Sequence, residues 1–301
     1  MASLIVVGAN GLLGQNLIKR FRKKHQIFAA SVEEQPFFPA DHVYSYTQLD
    51  ITNRVAVIDF LQTIKPDIVI NTAAFTNVDA CEEQPEHCWS VNVRGVEYLV
   101  DASRSFNPIF IHVSTDYVFD GENGPYSEED EPNPRGNYAR SKLAAEHVVE
   151  NSNLEYIIAR TQVLFGVANG VRHNFVTWVI EQLTNNKKIR IVDDQIGTPT
   201  YAPDFCEAID RLLEREAFGL FHVSGAEIIS RYDFAVKIAQ VFELDASLIE
   251  RITSKELKQK APRPMNSAFK VYKLINYSGW EPHSLDEALK LMKKELAVVD
   301  G

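Results

Sequence analysis

Cysteine is scarce in this chain: three residues in 301, Cys81, Cys88 and Cys206, with no Cys-x-x-Cys pair. That count excludes a disulfide framework and fits a reducing compartment. Basic residues are in deficit, 31 Lys and Arg against 41 Asp and Glu, for a formal charge of −10. The balance argues against nucleic acid or an anionic membrane as partner. Any phosphate must instead be held by local backbone geometry or by one or two placed cations. Eight histidines lie scattered without ligand spacing, so no metal is expected. No apolar run approaches the roughly 18 residues of a bilayer span. The opening MASLIVVGAN has no basic or signal-type segment and enters a strand pattern at once. A soluble cytoplasmic protein is expected. Against these absences stand 45% hydrophobic residues, ample for a core and incompatible with disorder.

Short β-branched runs alternate with amphipathic stretches through the first half. Leu4–Val7, Gln26–Ala30, Asp67–Asn71, Ile109–Ser114 and Leu154–Ala159 read as strands, with His42–Tyr46 a weaker one. Helices are predicted over Gly11–Lys24, from an N-cap at Thr52 to Pro66, over Val91–Arg104 and over Leu143–Glu150. Near-continuous apolar strands between helices give an α/β class with a doubly wound parallel sheet. After Arg160 the rhythm changes. Asn174–Leu183, Lys188–Val192 and Asp204–Leu213 follow, and Leu220–Val223 is a late strand able to rejoin the sheet. The rest is helix-rich and broken by Pro262, Pro264 and Pro282. The expected division is residues 1–165 with 200–225 as a nucleotide-binding unit, and 166–199 with 226–301 as a smaller α/β substrate lobe.

Gly8-Ala9-Asn10-Gly11-Leu12-Leu13-Gly14 follows the first strand and opens the first helix. Gly8 permits the tight turn, Gly11 lets backbone approach a pyrophosphate, and Gly14 allows close helix–strand packing. The helix N-terminus then offers N–H groups to the anion. Gly8, Asn10, Gly11, Leu12, Leu13 and Gly14 are therefore candidate dinucleotide contacts. Glu33 and Glu34, just beyond the second strand, read as a solvated loop, which leaves NADH and NADPH equally open. Asp50 and Ile51 close a strand where they could meet the adenine. Ala73, Ala74 and Thr76 follow the fourth strand beside the same cleft.

Tyr138 and Lys142 are four apart, on one helix face. A lysine cation near a phenol favours phenolate and lowers the phenol's pKa. Thr115 closes the fifth strand, where its hydroxyl could donate to a carbonyl oxygen as charge develops. These three are the candidate catalytic residues.

The glycine turn, the strand-ending threonine and Tyr-x-x-x-Lys together resemble the extended short-chain dehydrogenase/reductase superfamily, with its Rossmann sheet. More narrowly, Ala73–Asp79, Val91-Asn92, Ser114–Gly121, Asp194–Thr200 and Arg263–Ser267 resemble the dTDP-4-dehydrorhamnose reductase family over nearly the whole chain. The resemblance implies reduction of a nucleotide-linked 4-keto-6-deoxyhexose at C4 with NADPH or NADH. It implies that Thr115 and Tyr138 bracket the carbonyl oxygen, that Tyr138 gives the proton, and that Lys142 positions the ribose. Asp116 would contact the sugar. Phe75 and Val163 stand where the family shows Tyr and often Trp. Gln15-Asn16 stands where some members have a metal-binding carboxylate.

Tyr117 occupies the place of the second acid of the related dehydratases, so elimination lacks a base. An epimerase of the superfamily, or a regulatory subunit like that of methionine adenosyltransferase, which binds NADP without turnover, is the alternative. Arg263 could clamp a substrate diphosphate. Glu128–Glu131 reads as a solvated loop, His112 as a packed strand residue, and Cys81 with Cys88 as one helix face in the core. A homodimer is compatible with these features.

Overall fold

The computed structural model describes residues 1–38, 44–257 and 259–299. Seven parallel strands form the sheet: β1 (Ser3–Val7), β2 (Gln26–Ser31), β3 (Tyr44–Gln48), β4 (Ile68–Asn71), β5 (Ile109–Thr115), β6 (Tyr156–Thr161) and β7 (Gly219–His222). Their order is β7-β6-β5-β4-β1-β2-β3, the doubly wound α/β arrangement that the sequence predicts. The late strand β7 does rejoin the sheet, paired with β6 from Gly219↔Ile157 to His222↔Arg160. Residues 42 and 43 of the expected weak strand lie outside the described residues; the strand itself runs over Tyr44–Gln48.

Strand side chains alternate between two cores because the pleat sends neighbours to opposite faces. Leu4 and Val6 pack with Leu17, Phe21, Phe205 and Ile209 on one face. Ile5 and Val7 pack with Val57, Leu61, Leu99, Val100 and Val149 on the other. The first face is covered by α1 (Leu12–Phe21) and α5 (Ala202–Glu214). The second is covered by α2 (Arg54–Ile64), α3 (Gly95–Ser103) and α4 (Gly136–Glu150). Each fully buried Leu, Ile or Phe stabilises the layers by roughly 1.5–3 kcal/mol.

Local chemistry corrects several boundaries. Asn53, not Thr52, caps α2, its side chain accepting from the Ala56 N–H at 3.2 Å. Thr52 is instead bound to the Asp50 carboxylate. The predicted Val91–Arg104 helix begins with a π-helical stretch, Ser90–Arg94, before α3. Cys81 and Cys88 sit on two short helices, Val78–Glu83 and Pro85–Trp89, not on one.

A third core joins Phe165, Val176, Val179, Tyr201, Phe234, Ile238, Leu289 and Met292. It is built from helices over Phe175–Thr184, Arg231–Phe242 and Leu285–Val299 and the parallel strand pair Ile189–Val192 and Ile249–Ile252. Phe269, Val271 and Leu274, expected in the second lobe, pack into the first sheet core. Among the described residues, no helix is long and apolar enough to cross a membrane.

Candidate active site

Val7 pairs with both Ala30 and Asn71, so three strand ends meet where the chain leaves β1. Gly8 turns there with φ +81°, and a Cβ on it would stand 2.6 Å from the Ala73 nitrogen. Its N–H donates to the Ala30 carbonyl at 2.8 Å. A Cβ on Gly14 would stand 2.7 Å from Ala9 Cα, so Gly14 is fixed by the approach of helix to turn. Helix α1 starts after Gly11 with no side chain capping its first N–H groups, which leaves them for an anion.

That helix end forms one wall of a cavity of about 650 Å³. Asn10, Gly11, Leu12 and Leu13 line it at one end, Thr115, Asp116, Tyr138 and Lys142 at the other, with Ala74 and Thr76 between. Gly8, Gly14 and Ala73 lie behind this wall as turn and support. Asp50 and Ile51 do not reach it. The Asp50 carboxylate holds Thr52, and Ile51 is buried against Gly95.

Glu33 is no solvated loop residue. Its Oε2 accepts from Ser31 Oγ at 2.7 Å and from Asn10 Nδ2 at 3.0 Å, and the residue lines the cavity. Burial would raise its carboxyl, but the bonds from Ser31, its own backbone and Asn10 outweigh that and hold it below the usual range. Gln15 and Asn16 donate to the Asn169 and Val167 carbonyls, tying the loop that follows Phe165 to α1.

At the other end, the Thr115 hydroxyl donates to Asp116 Oδ1 at 3.1 Å, accepts the Tyr117 N–H and is hydrogen-bonded to the Tyr138 phenol. Burial pushes the Tyr138 phenol well above its ordinary range, with the Thr115 bond opposing. Lys142 is not among the main groups acting on the phenol in this arrangement. Lys142 Nζ is taken up by β5: it bonds the Val113 carbonyl at 2.7 Å and meets His112 Nε2 at 3.3 Å. Burial lowers Lys142 to about 8. Asn92 in the π-helical stretch bonds Ser141 Oγ at 3.0 Å and both backbone groups of Phe75, which clamps the loop after β4 to α4.

Asp116 is buried and pushed up to about 6 by desolvation, against a bond from Ser267 Oγ at 2.6 Å. Ser267 arrives on a returning segment. Asn266 N–H donates to the Gly121 carbonyl, Tyr126 N–H to Ala268, and Lys270 N–H back to Tyr126. Arg263 is already engaged, with Nη2 3.1 Å from Asp79 and Nη1 on the Ala261 carbonyl. Arg231, which sequence reasoning missed, stacks over Phe175 at 5.3 Å within the fields of Tyr117 and Asp116. Among the described residues no carboxylate pairs with it. No local motif marks it; only the packing of the second lobe brings it here.

The family described as RmlD substrate binding domain matches residues 1–298. A dTDP-4-dehydrorhamnose reductase of Aggregatibacter actinomycetemcomitans is 34% identical over 96% of this chain and 98% of that protein. The chain belongs to this family. Within it, the solved dTDP-4-dehydrorhamnose reductase from Bacillus anthracis, in complex with NADP, superposes with a TM-score of 0.87 at 30% identity. It covers 98% of this chain and 99% of the other. Methionine adenosyltransferase 2 subunit beta of Rattus norvegicus is also a relative, 29% identical over 90% of this chain and 81% of that protein.

Proposed function

We propose that the protein is an NAD(P)H-dependent reductase of the C4 ketone of a nucleotide-linked 4-keto-6-deoxyhexose, of the dTDP-4-dehydro-L-rhamnose to dTDP-L-rhamnose type. One observation carries this reading: the Thr115–Tyr138 hydroxyl pair and an uncapped helix N-terminus face the same cavity. The residues fit a dinucleotide, since Gly11 leaves its end of the wall open and the α1 N–H groups address a pyrophosphate. The bound nicotinamide supplies the hydride.

Tyr138, held protonated by its burial, gives its proton to the sugar oxygen, and Thr115 donates to the same oxygen as negative charge grows there. Asp116, steadied by Ser267, takes hydroxyls of the sugar. Arg231, with no carboxylate partner, takes the diphosphate, while Arg263 braces the loop through Asp79. A cytoplasmic place of action belongs to the same reading.

The test is the purified protein with NADPH and a dTDP-4-keto-6-deoxy-L-sugar. Loss of nicotinamide absorbance, with a reduced sugar nucleotide formed, is the expected result. Tight NADP binding with no oxidation would favour a non-catalytic, regulatory role.

A further inference from the structure

From the interior to the cavity wall run three buried side chains: Asn71 at the end of β4, His112 in β5 and Lys142 in α4, which lines the cavity. The Ala73 N–H donates to Asn71 Oδ1 at 3.1 Å, which fixes the orientation of that amide. Asn71 Nδ2 therefore faces His112 Nδ1, at 3.3 Å. An amide nitrogen only donates, so Nδ1 is the acceptor and the ring proton belongs on Nε2.

His112 Nε2 lies 3.3 Å from Lys142 Nζ. An ammonium has three donors and no acceptor, so it cannot bond an N–H pointed at it. A neutral amine can, accepting from Nε2–H with its lone pair while its own N–H serves the Val113 carbonyl. We propose that Asn71 and His112 form a tautomer-locked latch that holds Lys142 against β5 as a neutral amine and releases it into the cavity once it is protonated. His112 is thus a positioning residue for Lys142.

The surroundings agree. Burial drives His112 well below its ordinary range, so the ring stays neutral. Burial likewise brings Lys142 to about 8, with Glu146 and Cys88 the charged or ionisable groups opposing it. Glu146, one turn along α4, is taken by Arg160 of β6 through bonds of 2.9 and 2.7 Å. Cys88, from the helix over Pro85–Trp89, lies against Ser141 Oγ at 3.4 Å. Neither offers Nζ an alternative bond. Above about pH 8 the amine stays latched; below it the ammonium meets the Nε2–H as a repelling donor and turns toward Tyr138. Only this consequence at Tyr138 rests on the proposed reductase reading.

The test is read by nuclear magnetic resonance on the full chain, labelled at histidine and lysine, without sugar. A long-range proton–nitrogen spectrum should show one histidine, missing in His112→Gln, with hydrogen on Nε2 throughout the neutral range. The glutamine carbonyl offers the ammonium an acceptor, so in His112→Gln the Lys142 titration should rise by about one unit. A wild-type His112 with hydrogen on Nδ1, or a charged ring, overturns the latch, and that spectrum decides even if the variant fails to fold. An unchanged Lys142 titration in folded His112→Gln also overturns it. Failure of wild-type protein to oxidise NADPH with the sugar would count against the reductase reading alone.

Discussion

Ser267 donates to the Asp116 carboxylate at 2.6 Å, although the two residues are 151 positions apart. The bond favours the ionised carboxyl and opposes the desolvation that raises Asp116 from 3.8 to about 6. In Ser267→Ala that opposition is gone, and the acid limb of kcat/KM should move upward by about one unit. A pH–rate profile of both proteins checks this. A raised folded value means that Asp116 contributes stability that is fully present below 3.8 and lost as pH rises through about 6. Urea titrations across that window should show the decline, and Asp116→Asn should flatten it.

Tyr138 has its phenol proton retained by burial, with only the Thr115 hydroxyl opposing. Tyr138→Phe should lower turnover by about 10²–10⁴ and leave dinucleotide affinity unchanged, because the lost atom serves proton transfer. Single-turnover rates alongside cofactor titration give the two readouts. Turnover within twofold of wild type, on the order of experimental scatter, would remove the phenol from the reaction.

Gly11 and Gly14 should separate binding from folding. A Cβ on Gly11 meets only the Gly8 carbonyl, at 3.3 Å, whereas one on Gly14 presses on the backbone of both Gly8 and Ala9. Gly11→Val should fold and lose dinucleotide binding, its side chain filling the cradle. Gly14→Ala should lose about 1–3 kcal/mol of stability by overpacking. Equilibrium unfolding and cofactor titration of both variants distinguish the two effects.

Arg231 should reveal itself in substrate affinity. Removing a charge-assisted bond costs about 1.5–3 kcal/mol, so Arg231→Ala should raise KM for the sugar nucleotide by about 10- to 100-fold. The cofactor dissociation constant should not change. An effect on cofactor alone would place this guanidinium elsewhere.

Glu33 is held below the ordinary carboxylate range and lines the cavity beside the turn that follows β2. A 2′-phosphate seated beside it would be repelled by its charge. Glu33→Gln should therefore improve NADPH binding relative to NADH by roughly tenfold. Calorimetric titration with both cofactors measures the ratio.

The features legible in the sequence are those encoded by neighbours along the chain. The glycine turn, the strand-ending Thr115 and the four-residue spacing of Tyr138 and Lys142 each follow from local geometry, and one cavity collects them. Long-range groups escaped notice. Arg231 enters from the second lobe, and Ser267, though part of the Arg263–Ser267 run, reaches Asp116 only through the returning segment, where no spacing rule links them. Glu33 read as solvent-facing because, beside the local Ser31, its partner Asn10 becomes adjacent only when β1 and β2 pair. Asp50 and Ile51 lie outside the lining of that cavity. At that strand end Asp50 Oδ1 holds Thr52, while Ile51 packs against Gly95. Lys142 was assigned to Tyr138 by helical spacing, which fixes a shared face and not where a long flexible side chain ends.

The returning segment around Ser267 also imposes an order in time. A ribosome making this chain completes the seven sheet strands and their nucleotide-binding turn before it emits the serine that steadies Asp116. A nascent chain can therefore acquire its phosphate cradle early, yet it gains a finished sugar pocket only in the last stretch of translation. Premature termination upstream of residue 263 would leave the first core without Phe269, Val271 and Leu274 and Asp116 without its serine.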